Sequence, residues 1–265
     1  MLIAHLSDPH LRPKTHLYQD LVDSNAMFEA ALDQLARLDP RPDVVLLTGD
    51  VVDEGMAEEY AVAAEMLAGI GLPLLVIPGN HDEREAFRAC FAGHPYLAKA
   101  GPLHFAVGDL GPVRLVGLDV TVPGEHYGEV ADEARFWLDS VLAAEPDRPT
   151  LVMMHQPPIV SGIPYIDDYN CRGGDRLAAV LSRHGQVERV LCGHVHRFMQ
   201  ARFGGTLLVT APSTATAIAL RLRPDAEPAS FLEPPAMLLH HWTETTGLVT
   251  HYLPIGRFPG PYPFF

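Results

Sequence analysis

Largely apolar runs punctuate the chain at residues 2–6, 44–47, 72–77 and 150–154, and a fifth strand is expected over 187–191, where Glu188 and Arg189 interrupt the apolar residues. Leucine and β-branched residues dominate them, as expected of strands covered on both faces. Each run breaks off at a polar cluster. The first ends in Ser7-Asp8-Pro9-His10, where the proline takes the chain out of any ladder. The second ends in Thr48-Gly49-Asp50, with Asp53 a turn later, and the third in Gly79-Asn80-His81-Asp82. The fourth ends in His155-Gln156-Pro157-Pro158 and the fifth in Gly193-His194-Val195-His196. Between the early runs, Met27, Phe28, Ala31, Leu32, Leu35 and Leu38 recur at helical spacing and predict an amphipathic helix over 24–38 with Ser24 as its cap. A second helix is expected over 58–70. Strand, polar loop and helix in repeated order predict right-handed βαβ units, whose ligand sites lie beyond the carboxyl ends of the strands. The chain is therefore α/β.

After a helix over 84–91 the texture changes. Residues 103–107 and 113–118 flank Gly108-Asp109-Leu110-Gly111 and read as a hairpin; 198–203 and 206–210 form another across Gly204-Gly205. Helices are expected over 132–143 and 175–184. Residues 157–174 show no clear period and carry Tyr165, Asp167, Asp168, Tyr169 and Arg172 directly after His155, so they are expected to form a substrate-facing lid. Beyond residue 212 come a proline-rich excursion over 224–235, a strand pair at 237–242 and 248–253, and a proline-aromatic tail over 258–265. The expected division is a catalytic domain over 1–211 and a C-terminal cap or oligomerisation appendage over 212–265. The tail is too apolar to be left free, which favours a homo-oligomer formed through this region.

Charge narrows the partners. Nineteen basic against thirty-three acidic side chains give a net charge of -14, which repels nucleic acid and anionic membrane. An anionic substrate would need a bound cation. The start of the chain has no basic segment, and a cleavable signal would remove part of the strand carrying Asp8, so a cytoplasmic protein is expected. The uncharged stretch between Arg202 and Arg221 holds Gly204, Gly205, Pro212 and four threonines. A spanning helix needs about 20 predominantly apolar residues, so strand, loop, strand is the better description, with no membrane role. Cys90, Cys171 and Cys192 are odd in number and widely spaced, and are expected to be reduced thiols.

The five strand ends bring a specific inventory. Gly79-Asn80 alone would be ordinary turn chemistry, with Gly79 supplying positive φ and Asn80 tolerating it. Two aspartates (Asp8, Asp50), one asparagine (Asn80) and four histidines (His10, His155, His194, His196), however, outnumber the ligands of one metal ion. The set suits two ions with mixed oxygen and nitrogen coordination, with Asp50 the natural bridge. In Asp8-x-His10 and His194-x-His196, residues two apart in extended chain point the same way, so each pair can reach one small volume. These ligands would accept Mn, Fe, Zn or Co by softness alone. Two ions generate hydroxide from water near neutral pH, hold a phosphoryl oxygen and neutralise charge in an in-line displacement.

In that order, Asp8-x-His10, Gly49-Asp50-x-x-Asp53, Gly79-Asn80-His81-Asp82, His155 and Gly193-His194-x-His196 resemble the five signature blocks of the calcineurin-like metallophosphoesterases. His5-Leu6-Ser7-Asp8, Met154-His155-Gln156-Pro157-Pro158 and Cys192-Gly193-His194 are similar to the bacterial class III cyclic-nucleotide phosphodiesterases and glycerophosphodiesterases. The resemblance, over residues 1–210, implies a four-layer α/β/β/α sandwich of two mixed sheets. It implies one ion on Asp8, His10, Asp50 and His196 and another on Asp50, Asn80, His155 and His194. His81, oriented by Asp82, would then contact the substrate phosphate or protonate the leaving group. The chain departs from the glycerophosphodiesterase pattern at Ala211-Pro212-Ser213-Thr214-Ala215-Thr216-Ala217, where a histidine is expected and none occurs. His126, Tyr165, Asp167 and Arg172 are candidates for leaving-group contacts.

The function these features imply is hydrolysis of a small phosphodiester, such as a cyclic nucleotide or glycerophosphodiester, by attack of a metal-bound hydroxide on phosphorus. A phosphomonoesterase on the same site and a non-catalytic scaffold of the same fold are the alternatives. The absence of a basic, aromatic-bearing groove disfavours a nuclease.

Overall fold

The computed structural model describes residues 1–264. The first half alternates as the pattern predicts: β1 (Leu2–Leu6), α1 (Ser24–Ala36), β2 (Val44–Thr48), α2 (Ala57–Leu67), β3 (Leu74–Ile77) and α3 (Arg84–Cys90). Then follow β4 (Phe105–Val107), β5 (Arg114–Gly117), β6 (Gly128–Glu129), α4 (Asp132–Ala144), β7 (Thr150–Met153), α5 (Pro164–Asp167), β8 (Cys171–Arg172), α6 (Gly174–Leu181) and β9 (Val187–Cys192). The chain closes with β10 (Met199–Phe203), β11 (Thr206–Thr210), β12 (Ala217–Ile218), β13 (Ser230–Phe231), β14 (Ala236–Thr243) and β15 (Gly247–Pro254).

Two mixed sheets result, ordered β15-β14-β1-β2-β3 and β10-β11-β9-β7-β5-β4. Period-two alternation along the strands divides the apolar side chains among three cores. Ala4, Leu6, Val45, Leu47 and Val76 pack outward against Phe28, Leu35, Tyr60, Leu67 and Phe87 of α1, α2 and α3. Val116, Val152, Val190 and Leu208 pack outward against Leu138, Leu142, Leu177 and Val180 of α4 and α6. The remaining faces, with Ile3, Leu46 and Ile77 from one sheet and Leu115, Met153 and Leu191 from the other, close on each other. The layers are α/β/β/α, and burial on both faces explains why β2, β3 and β7 read as apolar runs.

Both expected hairpins form, β4 with β5 and β10 with β11. Asp23, not Ser24, caps α1: its carboxylate accepts from Ala26 N at 2.9 Å. Ser24 is buried and donates Oγ to His10 O at 2.7 Å, so its hydroxyl serves the site instead of the helix. The segment after His155 is more ordered than its lack of period suggests, holding α5 and the β8 bridge to β6. The boundary expected at 211/212 falls just after β11. Beyond it, β14 pairs antiparallel with β1, from Leu2 with His241 to His5 with Leu238, so the last strand pair belongs to the first sheet. Phe265, the end of the predicted tail, lies outside the described residues.

Candidate metal centre

β1, β2 and β3 run parallel in one sheet, and β7 and β9 in the other, so their carboxyl ends meet at one edge of the sandwich. Backbone hydrogen bonds tie the strand ends together: Asp8 N to Gly49 O at 3.2 Å, His10 N to Asp50 O at 3.1 Å and Gly193 N to His155 O at 3.0 Å. Convergence does not arise from extended alternation, as the two-apart spacing suggested. Asp8, His10, Asp50, His194 and His196 all have left-handed backbone, with φ between 45° and 71°. β1, β2 and β9 are thus broken sharply at their motifs, whereas Asn80 after β3 and His155 after β7 lack this conformation. Left-handed backbone is costly for a residue with a Cβ and persists where the surroundings enforce it.

Two donor clusters share Asp50. Asp8, His10, Asp50 and His196 present atoms within 4.8 Å of one another, and so do Asp50, His155 and His194. His196 Nδ1 donates to Thr216 O at 3.0 Å, so Nε2 is the nitrogen that faces His10 Nε2 at 3.0 Å and Asp8 Oδ1 at 3.4 Å. His155 Nδ1 donates to Thr48 O at 2.6 Å, so Nε2 is the nitrogen that faces Asp50 Oδ2 at 3.1 Å. Asn80 Oδ1 lies 2.9 Å from His194 Nδ1 beside this second cluster. Among the described residues, the buried His155 Nε2 and His194 Nε2 have no hydrogen-bond partner. Carboxylate oxygens and imidazole lone pairs crowded together without enough protons fit a pair of cations.

Titration follows from the same crowding. Burial disfavours the charge on Asp50, but His155 and His81 outweigh it and hold the carboxyl well below its ordinary range. Burial likewise opposes a charged His155, yet Asp50, Asp8 and the Thr48 carbonyl raise it to about 9. Burial, with the neighbouring His155 charge, pushes His194 down to about 3. Without metal, the His155 proton partly replaces the missing positive charge.

Two glycines make the approach of the strands possible. Gly79 does not supply positive φ; a Cβ there would strike Asp50 Oδ1 and Asp50 N, so what it provides is space. Likewise a Cβ on Gly193 would strike Ser7 Oγ and lie 2.7 Å from Asp8 Oδ2. Asp82 does not orient His81. Its carboxylate accepts from Gly79 N at 2.9 Å, Val51 N at 3.1 Å and Tyr60 Oη at 3.0 Å, pinning one motif loop to the next. His81 is held through Nδ1 by Asp53 O at 2.6 Å and through its backbone N by Asp50 Oδ1 at 2.9 Å. Nε2 is the nitrogen left for the cavity.

That cavity, about 480 Å³, opens over both clusters. His126 and Tyr165 line it, together with Tyr18, Gln19, Thr216 and Pro228, which no local pattern in the chain marks. Asp167 and Arg172 do not: Asp167 Oδ1 accepts from Ser161 N and Oγ, both at 2.7 Å, and the Arg172 guanidinium lies 3.3 Å over the Tyr127 ring. Among the described residues, no lysine or arginine lines the cavity.

Residues 1–198 match the model of the calcineurin-like phosphoesterase family. The chain is 37% identical over 266 residues, covering 100% of itself and 97% of the relative, to a probable glycerophosphodiester phosphodiesterase GpdQ of Arcobacter nitrofigilis. The chain belongs to the calcineurin-like phosphoesterase family. Further members include a glycerophosphodiester phosphodiesterase GpdQ of Enterobacter lignolyticus, 33% identical over 95% of this chain and 92% of that one. A 3',5'-cyclic adenosine monophosphate phosphodiesterase CpdA of Pseudomonas aeruginosa is 29% identical over 83% of this chain and 78% of that one. A dimetal phosphatase from Danio rerio shares the fold, with a TM-score of 0.63 at 14% identity, over 97% of this chain and 99% of that one. No described helix is long and apolar enough to cross a membrane.

Proposed function

We propose that this chain hydrolyses small phosphodiesters with two metal ions. One ion is assigned to Asp8, His10, Asp50 and His196, and the other to Asp50, Asn80, His155 and His194. The observation that carries the proposal is the pair of buried donor clusters sharing Asp50 under one cavity. Two bound divalent ions would lower the pKa of water and offset the negative charge of a phosphoryl group in an otherwise acidic site; Mn, Fe, Zn and Co all suit the donors. The protein's own contribution is placement. Thr48 O and Thr216 O each engage Nδ1 of His155 and His196, so that Nε2 is the nitrogen turned to the clusters in both rings. His81, anchored by the Asp53 carbonyl, is assigned to hold the phosphoryl oxygen or to protonate the departing alkoxide. Asp50 and Asp53 raise its pKa against the opposing effect of burial, which suits a donor.

The cavity lining favours a diester. A monoester dianion brings a second negative charge that no lysine or arginine there would meet, and Tyr18, Tyr165 and Ile166 offer a neutral alcohol apolar contact. Turnover of bis(p-nitrophenyl) phosphate should therefore exceed that of p-nitrophenyl phosphate in Mn²⁺-loaded protein; a large preference for the monoester would overturn the choice. A scaffold role would require metal-free protein and an Asp50→Asn variant without effect. A cytoplasmic location fits the acidic composition. Within residues 212–265, the parts outside the β14–β15 pair are assigned a cap or oligomerisation role: Leu220, Leu222, Phe231 and Leu232 are exposed, close in the chain to the cavity-lining Ile218, Ala229 and Ser230. Light scattering at the mass of one 29.0 kDa chain would refute the homo-oligomer.

A further inference from the structure

A polar seam crosses the core between the sheets. Arg189 Nη1 on β9 lies 2.7 Å from Thr250 Oγ1 on β15, which lies 2.9 Å from His240 Nδ1 on β14. His240 Nε2 is 3.2 Å from His5 Nδ1 on β1, and His5 Nε2 is 2.9 Å from Thr48 Oγ1 at the end of β2. Thr48 Oγ1 donates to Ser7 Oγ at 2.7 Å, and Ser7 Oγ to Thr48 O at 3.3 Å. That carbonyl is the one that accepts from His155 Nδ1.

The chain has a direction. Arginine only donates, so Thr250 Oγ1 accepts from it and keeps its own hydrogen for His240 Nδ1. Burial holds both imidazoles neutral, His5 at about 3 and His240 well below its ordinary value, so each ring has one donor and one acceptor. His240 Nε2–H therefore donates to His5 Nδ1, and His5 Nε2–H to Thr48 Oγ1. Every ring nitrogen and hydroxyl is used. Run backwards, Arg189 and His240 would both donate to Thr250, leaving the Thr250 hydrogen unused, and Thr48 would spend its hydrogen on His5, so that Ser7 could keep Thr48 Oγ1 only by giving up its bond to Thr48 O. Two imidazoles in a core that leucine could fill give little stability of their own, because their desolvation offsets their hydrogen bonds. A fully satisfied network gives a single arrangement instead.

We propose that His5 and His240 are positioning residues for the metal centre: the series led by Arg189 fixes the Thr48 and Ser7 hydroxyls, and with them the carbonyl that aims His155 Nε2 at Asp50. The proposal rests on the metal-centre assignment above, and the two fail separately. Long-range ¹⁵N–¹H spectra of metal-free protein should show His5 and His240 each as the single Nε2–H tautomer, and an Nδ1–H tautomer at either would overturn the series. Mn²⁺ titration calorimetry is then compared across variants shown to be folded by circular dichroism. His240→Leu should weaken Mn²⁺ binding about 10- to 100-fold, the range typical of outer partners of metal ligands. His240→Gln, whose amide can donate to His5, should recover most of it. Equal affinity for wild type and His240→Leu would overturn the proposal. If His240→Leu does not fold, Arg189→Met at the half-buried end decides: mixed tautomers with weakened Mn²⁺ binding support the series, and unchanged tautomers and affinity refute it. Wild type that takes up no Mn²⁺ would refute the metal centre itself, while the tautomers still report on the series.

Discussion

Metal binding should release a proton from His155, and the pH dependence should measure it. In metal-free protein this buried imidazole titrates at about 9, against 6.5 in the unfolded chain. A metal ion needs the neutral ring, so protons and metal compete for Nε2. With that value, apparent affinity at pH 7 is about 100-fold below its limit above pH 9, equivalent to about 3 kcal/mol. Between pH 6 and 8 the logarithm of the affinity should rise by about one per pH unit for this proton. The folded metal-free protein should behave in the opposite sense. Because the folded pKa is raised, the proton contributes about 3 kcal/mol of stability that is fully present below pH 6.5 and lost as pH climbs towards 9. Calorimetric Mn²⁺ titrations in buffers of different ionisation enthalpy give the number of protons released, and thermal melts of chelator-treated protein give the stability. Affinity independent of pH across 6–8, with no buffer-dependent heat, would refute the assignment of His155 as the protonated group.

Other expectations are equally direct. Asp50→Asn, which removes the carboxylate common to both clusters, should abolish binding of the second ion and lower Mn²⁺ affinity by more than the about 10- to 100-fold typical of outer partners; a stoichiometry of two by elemental analysis would contradict it. His81→Ala should lower kcat by about 10²- to 10⁴-fold at unchanged metal content, and loss of metal would show a ligand-supporting role instead. Gly79→Ala should cost about 1–3 kcal/mol in chemical denaturation and impair metal binding, because the methyl meets Asp50 backbone as well as its carboxylate; a neutral substitution would mean the loop can yield.

The layer order and the five loops that bear the site were legible because each strand is buried on both faces and ends at a motif. What was not legible depended on distance in the chain. Nothing local indicates that His241 pairs with Leu2, so the destination of the last strand pair required the fold. The same holds for Tyr18 and Pro228: each is an unremarkable loop residue until the chain folds it over the clusters. Asp82 departs from its expected role for a different reason. The family resemblance implies a partnership with His81, but the turn points its carboxylate back at Gly79 N and Val51 N, while a backbone carbonyl, invisible to sequence pattern, holds the imidazole.

The left-handed backbone at Asp8, His10, Asp50, His194 and His196 carries a consequence for how such a site can change over time. Asparagine, aspartate and histidine tolerate that conformation better than other residues with a Cβ, and they are also metal ligands. Selection for folding and selection for chemistry thus demand the same short menu of side chains. A drift to valine or leucine at any of the five would be penalised twice, and by the folding penalty even in a cell that had no need of the activity. A descendant that abandoned catalysis would be expected to retain much of the ligand inventory for conformational reasons, so surviving motifs in a distant copy would testify to its backbone before they testified to its chemistry.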